Sequence, residues 1–513
     1  MAKVHLGCWF IVGLALTAPW CRAGDLSPRD IASLIDERLH VHGEPSVAFA
    51  DDATFLRRLS LDLIGRIPTI AEVREYLADD SESKRMRTVQ SLLHYGAHYK
   101  NMATFWRRAW APQADTPEFA SLADGFELWL AHELQQRTRY DRLVAKVVTW
   151  DANAPPQGTI DPSGFYLANE SSPANLAASS TRAFLGINLD CAQCHNHPFA
   201  RWTREQFWQT AAFFAAPDHD ADGKPKLPKI RVPDTELEYE PVLLSQDKIA
   251  WPQKQELDSV SLRSVLSDWM VTEKRSYLAK NAVNRLWSHF FGDALVEPID
   301  DLSGDAAESG ERADLLAELA QIFVQSGYDL ELIIEAMVQS DAYRLASLTA
   351  GPPQPASESA AVSASPAMVR GLTGEQLYDS LRTAAGLPPE RSDVGRGSRP
   401  DRRNEFTSVF YVERANGAER SISQALTLMN GSLVNELCTA ANNQMLASVA
   451  ASPFMSFEEQ LDTVFIAVLG RHATAPELAA VLRRFEEQAA SPQQKLGDLF
   501  WVLVNSPEFN TNH

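Results

Sequence analysis

The spacing of apolar residues is helical along most of the chain. Phe55 to Thr69 carries apolar side chains at helical intervals and predicts a helix stopped by Gly65 and Pro68. Thr69 opens the next helix, with Glu72 three residues on completing a capping box, and Ser27-Pro28 reads as an N-cap followed by proline in the first turn. Helical spacing holds from Ser91 to Leu143, where Tyr95, Tyr99, Phe105, Trp106, Trp110, Phe119, Phe126 and Trp129 read as packing aromatics. A further helix starts at Ser172-Pro173 and is closed by Gly186 near Leu185. Thr203-Arg204-Glu205-Gln206 is another capping box, with Trp202 placed to staple Phe207, and Phe207, Ala211 and Phe214 form one apolar face for a porphyrin or a protein core. Asn281 to Gly292, Leu315 to Gly327, Leu330 to Tyr343, the segment opened by Thr373, Leu426 to Leu437, Phe457 to Leu469 and Leu496 to Phe509 continue the helical style.

Polar stretches punctuate these helices. Asp151 to Gly164 is a polar loop, and residues 218–241 are rich in Asp, Lys and Pro, with Lys229-Ile230-Arg231-Val232 short enough for a strand. Ser347 to Pro366, rich in Ala, Ser and Pro, predicts a flexible loop, and Arg391 to Asn404 is a polar, arginine-rich one. No period of 20–50 residues recurs. The expected fold is mainly α: a multi-helical two-domain protein with a small irregular or β connector. The divisions are a leader at 1–23, a helical domain at 24–217, the connector at 218–254, and a helical companion domain at 255–513 with the flexible loop at 347–366.

Length and charge narrow the setting. The 513 residues, 45% hydrophobic, suffice for sizeable cores. Lys3 and His5 precede an apolar run from Leu6 to Pro19, and Cys21-Arg22-Ala23 offers a cut before Gly24, the pattern of an export signal too short for a stable membrane span. The expected location is periplasmic or secreted. A formal charge of −20 argues against nucleic acid and anionic membrane surfaces as partners. Cleavage leaves Cys191, Cys194 and Cys438, too few for a disulfide scaffold.

Two of those cysteines carry the chemistry. Cys191, Cys194 and His195 spell C-x-x-C-H, a spacing that lets two thiols join the two vinyl groups of one haem while the next imidazole ligates its iron. Covalent haem c is the leading expectation. Zinc is the alternative, with His197 and the distant pair His94 and His98 as further donors; a redox disulfide is the third. His197 is too near in sequence to reach the opposite haem face. His94, His98, His219, His289, Met337 and Met429 are open possibilities there, none of them assigned. Arg201 and Arg204 suit haem propionates or a solvated helix start. Asp62, Arg57, Arg58 and Arg66, on so apolar a segment, predict caps and ion pairs, and Asp300-Asp301 predicts an ordered loop or a cap. No nucleophile elbow, phosphate loop, zinc-protease or dinucleotide fingerprint occurs.

The order of these blocks resembles the planctomycete-type paired domains of unknown function, a cytochrome-like PSCyt2 domain followed by a PSD1 domain. The first is matched by Phe55 to Thr69, Phe184-Leu185-Gly186 and Cys191 to Phe199 continuing into Trp202; the second by Asn284-Arg285-Leu286-Trp287, Phe291-Gly292, Tyr343, Leu372 to Leu377, Asn430-Gly431 and Asn505 to Phe509. Two departures are Asn196, where the family often has Asp, and Arg312-Ala313-Asp314, where it often has His-Pro-Glu. The motif and the resemblance together suggest electron transfer, or a haem-dependent oxidoreductase of unknown substrate. Its partner would be a periplasmic electron carrier or a small-molecule or carbohydrate substrate; a zinc-stabilised binding or scaffold protein without redox activity is the alternative.

Overall fold

The computed structural model describes residues 26–41, 48–115, 120–151, 160–197, 200–223, 225–249, 251, 258–273, 276–304, 309–347, 368–389, 402–410 and 421–513. The leader at 1–23, nearly all of the 347–366 loop, most of the 391–404 loop, part of the 151–164 loop, Phe119, and Pro198 and Phe199 lie outside them.

The protein is mainly helical, as the spacing predicts. The first helices are α1 (Pro28–Arg38), α2 (Asp52–Ile64), α3 (Ile70–Ala78), α4 (Lys84–Leu93), α5 (Gly96–Trp110), α6 (Ala120–Gln135), α7 (Tyr140–Val148), α8 (Ser163–Ala168), α9 (Pro173–Ser180) and α10 (Arg204–Ala211). After the connector come α11 (Ser259–Thr272), α12 (Tyr277–Phe291), α13 (Glu311–Gln325), α14 (Leu330–Gln339) and α15 (Gly374–Ala384). The last are α16 (Arg402–Val409), α17 (Ile422–Asn430), α18 (Ser432–Leu437), α19 (Gln444–Ala450), α20 (Phe457–Leu469), α21 (Ala475–Glu486), α22 (Pro492–Val504) and α23 (Pro507–Asn510).

Local chemistry accounts for most boundaries. Ser27, Thr69, Thr203 and Thr373 each accept from the backbone N–H three residues on, and the Asp, Glu or Gln there reaches back, so capping boxes form at Thr69 and Thr203 as the sequence predicts and also at Ser27 and Thr373. Gly65, Gly186 and Gly292 end helical segments in the left-handed region, at φ 70°, 58° and 95°. Two stretches differ from the expectation. Leu426 to Leu437 is two helices, because Gly431 is extended (φ −66°, ψ 149°) and serves as the N-cap of α18. Thr181–Leu185 widens into a π turn after α9 rather than continuing as α-helix.

The connector holds two minimal antiparallel sheets. Asp218 pairs with Lys226 and His219 with Pro225; Ile230 pairs with Tyr239 and Arg231 with Glu238. A third pairing, Arg370 with Asn512 and Gly371 with Thr511, joins strands 140 residues apart in the chain.

Burial divides the protein into two cores. The larger draws on residues from Ile31 to Leu345, across the connector, with Ile466 added, and the smaller on residues from Leu372 to Phe509 together with Leu61 and Ile67. α2 belongs to both: Phe55, Leu56, Leu59, Leu63 and Ile64 pack in the first core, while Leu61, with Ile67 just past the helix end, packs in the second. Every residue of α2 from Phe55 to Ile64 is buried, Arg57, Arg58 and Asp62 included. A central helix this enclosed must satisfy its charges and its terminal carbonyls through other elements.

Candidate functional site: the Cys191 to His195 turn

The approach to the motif is built by α12. A π turn frees carbonyls that an α-helix would occupy, and side chains from α12 take them. Asn281 Nδ2 donates to Ala183 O at 2.7 Å, Arg285 donates to Arg182 O at 3.2 Å, and Arg285 Nε also donates to Asn281 Oδ1 at 3.1 Å. Burial pulls the Arg285 guanidinium below its ordinary range, partly offset by Tyr140 and Asp300. Asn284 pairs with both backbone groups of Val296, at 2.8 and 3.0 Å, fixing the loop whose Leu302 N–H donates to Gly186 O at 2.6 Å. The Asn281-to-Trp287 block therefore holds the chain just before the cysteines, a role its sequence did not announce because its partners lie about a hundred residues upstream.

Beyond Gly186 the chain is pinned from beneath. Leu189 and Ala192 are buried and packed in the large core, and Asp190–Gln193 forms one tight turn with Ala192 N–H donating to Leu189 O at 2.9 Å. Arg182 pairs with Asp190. Trp208 Nε1 donates to Gln193 O at 3.1 Å, and Asn196 Oδ1 accepts from the Arg204 N–H at 3.0 Å, satisfying one orphan donor of α10. Asn196 thus does here what a carboxylate at that position also would.

On this base the reactive groups face outward. Cys191 and Cys194 are free thiols, both exposed, and His195 beside them is exposed. His195 Nδ1 lies 2.8 Å from Asn196 O; a carbonyl only accepts, so Nδ1 carries the hydrogen and Nε2 keeps its lone pair. That is the tautomer an iron-ligating imidazole needs, and the donor set fits a C-x-x-C-H haem attachment. His197 Nδ1 accepts from the Ala200 N–H at 2.8 Å, so that nitrogen shapes the loop. Among the described residues no three His, Cys, Asp or Glu side chains come together as a metal-ligand group. Cys438 is half-buried, and burial pushes its thiol up to about 12, leaving it protonated and unreactive at neutral pH.

The other residues singled out by sequence lie elsewhere. Arg201 donates to Tyr277 OH at 3.0 Å and stacks over Trp202 at 4.7 Å. Phe207, Ala211 and Phe214 face protein core. His94 meets Arg137 and Glu331 at the surface, His219 sits on an exposed hairpin strand, Met337 is packed in the large core, and Met429 is exposed on α17. Asp301 accepts from Ser303 and orders a loop.

His98 and His289 serve α2. His98 Nδ1 meets Leu63 O at 3.0 Å and His289 Nε2 meets Asp62 O at 3.1 Å; Asn101 donates to Asp62 O at 2.7 Å and Gln376 to Leu61 O at 3.1 Å. Burial drives His98 down to about 4 and lowers His289 as well. The Asp62 carboxylate, 1% exposed, receives both bonds on each oxygen: Arg370 at 3.0 Å to both, Tyr343 OH at 2.7 Å on one and Asn512 at 2.7 Å on the other. Arg57 donates to Glu508 O and Phe509 O at 3.1 and 2.8 Å, and Arg58 to Tyr343 O and Leu345 O at 2.6 and 2.9 Å. Arg66 pairs with Glu72 at 2.9 Å. Asp62 and Arg66 form the expected ion pairs, whereas Arg57 and Arg58 serve backbone carbonyls; the bonds of Arg57 to Glu508 and Phe509 and of Asp62 to Asn512 tie α2 to the C-terminal segment.

Comparison with known families gives two matches. PSCyt2, described as Protein of unknown function (DUF1549), matches residues 30–219, and PSD1, described as Protein of unknown function (DUF1553), matches residues 262–419. No curated protein and no solved structure matches. No helix among the described residues is long and apolar enough to cross a membrane.

Proposed function

This chain belongs to the family in which a PSCyt2 domain is followed by a PSD1 domain, and from that premise we propose that it is an exported c-type haem protein. Cys191 and Cys194 would hold the group through thioether bonds, and His195 Nε2 would be its protein ligand. The observation that carries this reading is the turn itself: two free, exposed thiols two residues apart, followed by an imidazole whose Nδ1–H is committed to Asn196 O. Such a hydrogen bond donated by the non-ligating ring nitrogen orients a metal-binding histidine and raises its basicity. The chain's own contribution is rigidity, because Ala192, Trp208, Asn196 and the α12 clamp fix the turn from below while leaving its reactive side open. When bound, the haem would supply one-electron redox chemistry for an electron-transfer partner or a small-molecule substrate outside the cytoplasm.

The test is production of the full chain in a host with c-type maturation machinery, read by intact mass and a pyridine haemochrome spectrum. One added haem is expected, lost in Cys191→Ala and Cys194→Ala, while His195→Ala perturbs the Soret band. Colourless protein with both thiols open to alkylation, or holding one zinc, overturns it.

A further inference from the structure

The chain leaving the C-x-x-C-H turn folds straight back toward it. His197 N–H donates to Trp202 O at 2.9 Å, and Asn196 Oδ1 accepts from Arg204 N–H at 3.0 Å. The two residues after His195 thus hold both ends of a short loop, and that loop returns Arg201, Trp202 and Arg204 to the neighbourhood of the motif. Arg201 is set in place there. It donates to Tyr277 OH at 3.0 Å and stacks over the Trp202 ring at 4.7 Å, which fixes the plane of its guanidinium and commits one arm of a five-donor fork. Tyr277 opens α12, so the companion half supports this side of the turn as well.

These three residues lack acceptors. The Trp202 indole N–H is buried without a partner, on a side chain only 4% exposed, and so is Arg204 Nε. Both groups can only donate, and a buried donor left unmade is costly. The chain has 67 acidic residues against 47 basic ones, so carboxylates are in excess, yet among the described residues neither Arg201 nor Arg204 bonds to one.

The nearby acids are spent on other groups. Asp190, the carboxylate of the turn itself, pairs with Arg182, and Glu205 accepts from Gln209 at 3.0 Å. Position 196 carries an amide: Asn196 serves the Arg204 N–H as a carboxylate would, but leaves the guanidinium charge uncompensated. Two guanidinium groups and an indole N–H beside a haem-attachment motif therefore call for carboxylates that the chain does not supply, and a haem carries two of them as propionates.

We propose that Arg201 and Arg204 are positioning residues that hold the haem propionates, with the Trp202 indole N–H as a third donor. This rests on the haem reading above. Two cations so placed neutralise the propionates and favour the reduced, less positive iron. The experiment is resonance Raman spectroscopy and redox titration of the full chain matured with haem, in buffer free of phosphate and carboxylates. Arg201→Gln and Arg204→Gln are each expected to shift the propionate bending band and to move the ferric–ferrous equilibrium toward ferric by about threefold to tenfold, the scale of one nearby unit charge partly screened by water. Arg204→Lys keeps the charge and recovers the potential. Should Arg204→Gln fold poorly, Arg201→Gln, at an exposed site, carries the test. Haem-loaded variants whose band and potential match the parent's overturn this inference and leave the haem reading standing. So does a parent whose band and potential move on addition of inorganic phosphate, because the arginines then take a free anion. Protein that matures without haem overturns the haem reading and this inference with it.

Discussion

Asp62→Asn tests whether α2 is the joint on which the two cores depend. The substitution keeps shape and removes charge, and it turns one of two acceptors into a donor. Either orientation of the new amide sets an NH₂ against groups that already donate: Arg370 with Asn512 on one side, Arg370 with Tyr343 on the other. Arg370 also loses its counter-charge, retaining one amide oxygen and the carbonyls of His289 and Phe290. With Asp62 1% exposed and the Arg370 side chain 24% exposed, solvent rescues little of this. Breaking a buried pair by removing one partner costs about 3–5 kcal/mol, a large part of the roughly 5–15 kcal/mol that holds a protein folded. Urea unfolding followed by tryptophan fluorescence measures it. Pairing the change with Arg370→Met closes a double-mutant cycle, and the double variant is expected to recover about 2 kcal/mol of the summed single losses, since neither charge is then stranded. A loss under about 1 kcal/mol for Asp62→Asn, or additivity within about 0.5 kcal/mol, would show that the cluster is incidental to stability.

Three further outcomes follow from the same helix. His98 is held near a pKa of about 4 against 6.5 when unfolded, so the folded state binds fewer protons between those values. Its neutral-state contribution is complete above pH 6.5 and lost as pH falls toward 4, about 3 kcal/mol in all, and His98→Asn should flatten that part of a stability-against-pH curve. Gly65→Ala sets a Cβ 2.7 Å from Asn101 Oδ1 at φ 70°, which should cost about 2–3 kcal/mol through strain and the disturbed Asn101 cap on Asp62 O, read as a lower Tm. Arg57→Met strands the Glu508 and Phe509 carbonyls that Arg57 serves, so amide exchange in α23 should accelerate before exchange in α5 does.

Much of the candidate site was legible because its logic is local. The C-x-x-C-H spacing, the capping box at Thr203, the left-handed Gly186 and the buried face of α10 involve residues within a few positions of one another. What supports the turn was not legible. The carbonyls freed by the π turn are met by Asn281 and Arg285, 98 and 103 residues away. Nothing in the Asn281-to-Trp287 spacing separates a side chain that caps a distant turn from one that faces water. His98 and His289, open but unassigned possibilities for a second haem ligand, both meet carbonyls of α2, since a histidine's type says what it can bind and not which carbonyl lies within reach.

The sequence by itself determined where the capped helices begin, that the chain is mainly α, and which short motif carries reactive groups, because backbone caps and apolar periodicity act over three or four residues. Only the tertiary structure decided that α2 is enclosed by two cores and that Asp62 meets Tyr343, Arg370 and Asn512, partners 281, 308 and 450 residues away. A buried charge requires partners, which composition can announce; their identity depends on which surfaces exclude water together, and that is settled by the packing of the whole chain.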